Sequence, residues 1–151
     1  MNIIHLCPTK TWDDDARLTL DLCKAHRDMG HHVDVFVRRL NPVGDTFYEA
    51  EFLTGKMRMS GMFNFMAPLR LARHIDSLAG TVTIHCHSFK SAIIALDARR
   101  LIKKEKKVFV VMNRDEESLA STARKAIIDE LDRIIDPHSM TNAKEVYDGL
   151  C

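Results

Sequence analysis

The stretch from Thr81 to Asp115 constrains the fold more than any other part of this chain. Val82-Thr83-Ile84 opens a short β-branched run that ends in His85-Cys86-His87-Ser88. A helix-length segment carrying Ala92, Ile93, Ile94, Leu96, Leu101 and Ile102 follows. A basic turn, Lys103 to Lys107, leads into Val108-Phe109-Val110-Val111-Met112. Strand, crossover helix and nearly uninterrupted apolar strand read as a βαβ unit. An apolar run of that kind suits a central parallel strand buried on both faces. Sheets built this way place ligands beyond the carboxyl ends of their strands. Those ends carry His87 and Ser88, then Asn113 and Arg114, which are therefore the first candidate functional residues.

The flanking segments repeat the alternation. Residues 2–7 read as a first strand and Pro8 to Trp12 as a loop. Asp13-Asp14-Asp15 suits the start of a helix running to about Met29, because carboxylates cap the free N–H groups and meet the positive dipole end. Leu18, Leu22, Ala25 and Met29 recur at helical spacing and are expected to face the sheet. Gly30 stops that helix, and Val33 to Val37 form a second strand. Turn signals at Asn41-Pro42 and Gly44-Asp45 precede a short edge strand expected within Phe47 to Leu53. Residues 55–66 hold four of the eight methionines together with Lys56, Arg58, Phe63 and Phe65, and read as a loop packing those side chains on the domain. Such a basic, apolar loop also suits contact with a membrane or a lipid-linked substrate. A helix is expected over residues 68–79, with Leu71, Ala72, Ile75 and Leu78 buried and Gly80 as its stop. Beyond Asp115 the pattern predicts a helix to about Leu131, a strand at 133–136, a turn at 137–139 and a last helix over 140–150. The whole reads as a single α/β domain, a three-layer doubly wound, Rossmann-like parallel sheet with right-handed crossovers.

Composition narrows the function. A net charge of +1 lacks the basic excess of a general nucleic-acid binder, so no nucleic-acid partner is expected. The four cysteines form no CxxC pair and read as free thiols in a reducing cytoplasm. Residues 2–6 begin a strand rather than a signal peptide, and no apolar run approaches a membrane span. His85 and His87 share one strand face and resemble zinc ligands, with His5 and Cys7 on a strand that is a candidate neighbour. One strand supplies only two donors, so no metal and no cofactor are expected. No GxxxxGK[ST], GxGxxG or GxSxG signature appears.

The order of these segments resembles the N-terminal domain of GT-B glycosyltransferases of the family-4 type, across essentially all 151 residues. Asn2 to Leu6 resembles its opening strand. Leu18 to Ala25, continuing through Met29-Gly30-His31-His32 to Val35, resembles its first helix, Gly-His turn and second strand. Ile84 to Ser88 resembles its histidine-bearing strand end. Asp132 to Ile135 and Lys144 to Leu150 resemble the segment before its interdomain linker. Two departures stand out. Thr9-Lys10-Thr11-Trp12 and three aspartates replace the glycine-rich loop usual after the first strand, and Asn113 stands where a histidine is common.

The resemblance implies the acceptor side of a sugar transfer from a nucleotide-sugar donor, in glycan or polysaccharide biosynthesis. It implies a cytoplasmic, membrane-associated setting. The donor-binding C-terminal domain is not among residues 1–151, so the implied partners are a separate donor-binding chain and a sugar or lipid-linked acceptor, and the domain is expected to be inactive alone. His87 and Arg114 are the expected catalytic residues. Pro8, Thr9, Lys10, Ser88 and Asn113 are expected to bind the acceptor. The alternative is a non-catalytic binding or assembly module that kept the fold.

Overall fold

The computed structural model describes residues 1–40, 42–59, 65–113 and 128–135. Its strands are β1 (Asn2–Cys7), β2 (His32–Arg38), β3 (Leu53–Met57), β4 (Val82–Cys86), β5 (Val108–Asn113) and β6 (Arg133–Ile135). They form one parallel sheet in the order β3-β2-β1-β4-β5-β6. Helices α1 (Asp14–Asp28), α2 (Val43–Glu49), α3 (Met66–Ser77) and α4 (Phe89–Leu101) lie between strands. The first three strands wind outward from β1, and the chain then returns to lay β4 on β1's other side. The strands of Ile3 and Val82 are therefore neighbours, and the switch of winding direction falls between them, where doubly wound sheets open a crevice.

Side-chain alternation gives the sheet two different faces. Ile4, Leu6, Phe36, Ile84, Cys86, Val110 and Met112 pack with α3 and α4 into one apolar core. Cys7, Val35 and Val37 pack with Ala16, Leu20 and Cys23 of α1 and with Val43 and Phe47 of α2 into a second. Both faces are covered, which is why all five β4 residues are buried and why β5 reads as a continuous apolar run. Asp13 caps α1, its Oδ1 accepting from the Ala16 N–H at 2.9 Å, and Asp14 and Asp15 occupy the first turn. Gly30 ends the same helix at φ +81°, a conformation that favours glycine.

Several local expectations shift. Residues 43–49, read as turns and the start of an edge strand, are helix α2, and the edge strand begins only at Leu53. Phe47 is the reason: it is fully buried against the α1 side of the sheet, and burying it outweighs the weak helix propensity of the segment. A Cβ at Gly44 would lie 2.8 Å from the flexible Lys56 side chain and 3.2 Å from Val37, so α2 packs closely on the sheet at this glycine. Part of the methionine-rich segment, up to Met57, is β3, and α3 starts two residues earlier than expected, at Met66. The buried stripe of α1 runs through Ala16, Thr19, Leu20, Leu22, Cys23 and His26, so Leu18, Ala25 and Met29 sit at its half-buried edge. The helix expected before Leu131, apart from its end, and the turn and last helix after 136 lie outside the described residues. Arg114 does too. Among the described residues, no helix is long and apolar enough to cross a membrane.

Candidate functional site

The α1 face of the sheet carries a polar belt where an apolar core would be expected. Its origin is register. His5 on β1 is the direct partner of His85 on β4, so both side chains rise from the same face. His87 follows two residues after His85 on that face, and Asn113 ends β5 beside it. From above, α1 lowers His26 onto His5. His5, His26 and His85 are fully buried, Asn113 is 9% exposed, and His87 is half-buried at the rim.

These side chains form one hydrogen-bonded chain. His85 Nε2 lies 2.6 Å from Asn113 Oδ1, and Asn113 Nδ2 lies 3.0 Å from His87 Nδ1. His87 Nε2 lies 2.9 Å from His5 Nδ1, and His5 Nε2 lies 3.0 Å from His26 Nδ1. A neutral imidazole has one donor and one acceptor nitrogen, so a single assignment propagates. The Asn113 amide donates to His87 Nδ1; His87 Nε2–H then donates to His5, and His5 Nε2–H donates to His26. His85 Nε2–H donates to the Asn113 oxygen. Turning the amide over reverses every bond in the row and satisfies the same groups. The belt therefore has two complete proton orders, with Asn113 as the point that selects between them.

Burial keeps the row uncharged. It is the main cause lowering all four histidine pKa values: His26 to about 3, His85 to about 4, and His5 and His87 well below the usual histidine value. Repulsion from neighbouring imidazoles lowers His5, His26 and His87 further, while the Asn113 bond partly offsets burial at His85. Uncharged, hydrogen-bonded imidazoles in a row can exchange one proton order for the other together, with no ring gaining a charge.

The same nitrogens are the obvious place for a metal. Ring nitrogens of His5, His85 and His87 all lie within 4.8 Å of one another, the third donor coming from the neighbouring strand. Three histidines suit zinc. Two features oppose it. His5 and His87 already share a proton, and the His85 and His87 rings stack at 4.6 Å and 13°, whereas ligands of one ion must aim their in-plane lone pairs at it. Metal analysis of untagged protein should therefore find well under one equivalent of zinc. A stoichiometric content would turn the trio into a metal centre.

The remaining site candidates are partly committed to holding the fold. Ser88 is the N-cap of α4: its Oγ accepts from the Ser91 N–H at 3.2 Å, and Ser91 Oγ accepts from the Ser88 N–H at 3.0 Å. Thr9 Oγ1 lies 3.2 Å from Cys7 Sγ, Pro8 is half-buried, and Lys10 is exposed. All three follow β1 at the rim that also holds His87 and the start of α4. Both His87 nitrogens are engaged within the protein, so a ligand that bonds them must displace Asn113 or His5. His5 entered the sequence reading only as a metal donor, and His26 did not enter it at all. The signal was available in Thr19 and His26, polar residues seven apart on the stripe that also holds Cys23.

Compared with known proteins, the chain is similar in structure to MurG of Acinetobacter baumannii, a GT-B glycosyltransferase, with a TM-score of 0.58 at 9% identity. The likeness covers 88% of this chain and 40% of MurG. At that identity it is a likeness of fold: a GT-B-like, Rossmann-type α/β domain. No protein-family model matches the chain, and no curated protein does.

Proposed function

We propose that this domain is the acceptor-binding side of a family-4-type glycosyltransferase that moves a sugar from a nucleotide donor to a hydroxyl acceptor. The observation that carries the reading is the neutral row at the carboxyl rim: Asn113 and His87 meet beside the N-terminus of α4, at the switch between β1 and β4. An acceptor hydroxyl would hydrogen-bond at His87 in place of His5 or Asn113, and its proton would leave with the departing phosphate as the sugar arrives, so no buried imidazolium has to form. Arg114, one residue beyond Asn113, would stabilise charge on the departing phosphate. Ser88, Thr9 and Lys10 would orient the acceptor. In this reading the donor is held by a second domain or a separate chain, and the setting is glycan assembly at the cytoplasmic face of a membrane.

One observation favours a second reading, a binding module without chemistry. Both His87 nitrogens already have partners, and Ser88 is used as a cap. Imidazole 15N shifts separate the two. Titration with free sugars and sugar phosphates should move His87 and the Asn113 amide if acceptors bind there. Shifts absent from both residues would favour the module. Calorimetry with UDP-glucose, UDP-N-acetylglucosamine and GDP-mannose should show only weak binding to these 151 residues, because the family's donor site lies on its second domain. A low-micromolar dissociation constant would overturn the assignment of this domain to the acceptor side.

A further inference from the structure

A concavity lies away from the histidine row. It is a pocket of about 450 Å³ between the ends of β2 and β3 and α3 from Met66 to Arg73. Arg39, Lys56, Arg58, Arg70 and Arg73 line it, with Met66 among the apolar remainder. Among the described residues that line it, none carries a carboxylate. Asp45 approaches only Lys56, at 3.4 Å and from an exposed position. Arg70 is held in place by donating to the Lys56 carbonyl at 2.8 Å, and Arg73 stands one helical turn further on. Like charges gathered in a concavity repel one another and focus a positive potential into it. An anion with several oxygens relieves that repulsion, and guanidinium forks match phosphate oxygens in pairs. Beside the basic residues, Leu40, Phe65 and Met66 are 94%, 77% and 70% exposed, an apolar margin next to a cationic one.

We infer that this pocket is a binding site for a phosphate or diphosphate ester. It uses β2, β3 and α3, whereas the acceptor reading uses β1, β4 and β5, so either can fail without the other. The ester is soluble or carried on a lipid, and the experiment distinguishes the two sources. Calorimetry with inorganic pyrophosphate at low ionic strength should show saturable binding of one equivalent. Arg39→Ala with Arg73→Ala should weaken it about tenfold or more, since two charge-assisted contacts are lost. Removing two exposed charges elsewhere, Lys24→Gln with Lys103→Gln, should leave binding within roughly twofold, because such charges are screened. No saturable binding by the unaltered chain, or equal weakening in the two double variants, would overturn the site. Phosphatidylcholine vesicles with phosphatidic acid supply the second arm. Co-sedimentation that pyrophosphate competes away, and that the Arg39/Arg73 variant loses, assigns a lipid-borne ester. Pyrophosphate binding without co-sedimentation assigns a soluble one.

Discussion

Between pH 6.5 and about 4 this domain should lose stability steeply and unfold. The cause is the histidine row. Each folded-state pKa lies below the ordinary value of 6.5, reaching about 4 at His85 and about 3 at His26. In the unfolded chain the same rings titrate near 6.5. Below that pH the unfolded state binds protons that the folded state refuses, so stability rises with pH through this window and falls on acidification. Each buried imidazole contributes a slope of up to about 1.4 kcal/mol per pH unit. His5, His26 and His85 together give on the order of 4 kcal/mol per unit, and His87 adds less because water reaches its edge. A domain of this size has about 5–15 kcal/mol in total, so roughly one to four pH units exhaust it. Asp34 is held below the ordinary carboxyl value by bonds from His74 and Thr54, against the opposing effect of burial. Its own loss begins only below pH 3.8, outside the window. Urea midpoints measured at half-unit steps from pH 7.5 to 4.5 would test this. A midpoint that stays level down to pH 5 would sink the prediction. Asn113→Asp sharpens it: a carboxylate accepts from both His85 and His87, favours their charged forms, and should flatten the slope.

His5→Ala should cost the domain about 4 kcal/mol or more of stability. His5 sits in the middle of the row, bonded to His87 on one side and His26 on the other, with no exposed surface. Truncation deprives the His87 and His26 nitrogens of these bonds in the interior, at about 1–3 kcal/mol for each group left unsatisfied. It also opens a cavity under α1, which adds on the order of 2 kcal/mol. His5→Phe separates the two contributions, because it fills most of the space and restores neither bond. It should cost roughly half as much as the alanine, the hydrogen-bond share alone. Urea unfolding at pH 7.5, where the row is neutral, measures both. A phenylalanine variant as stable as the parent would show that the row contributes volume and little bonding. The alanine variant should also have a shallower acid transition, since it has one buried base fewer.

The alternation of strands and helices, and with it the α/β class, was legible in the sequence. The β-branched run that opens at Val82 and the apolar run at 108–112, joined by a helix-length segment, read as parallel strands of a βαβ unit, and an apolar run such as 108–112 suits a central strand buried on both faces. The Asp13 cap and the Gly30 stop were equally local, since each acts within one turn of a helix. His87, Ser88 and Asn113 were marked as strand-end residues by the same logic. What the tertiary structure decided was their company. His5 and His85 are 80 positions apart in the chain, and only the β1–β4 register makes them neighbours. His26 joins them because α1 turns a stripe with polar residues inward, where a reading by hydrophobicity looked for leucines. Helix α2 escaped detection because a single buried phenylalanine, Phe47, overrode its turn-like composition. Lys56 and Arg58 were legible as part of a basic, apolar segment, but only β2, β3 and α3 placed them with Arg39, Arg70 and Arg73 around one pocket. Periodicity reports which way a side chain faces, while a site requires knowing what faces it, and that depends on strand order and register, which no local pattern encodes.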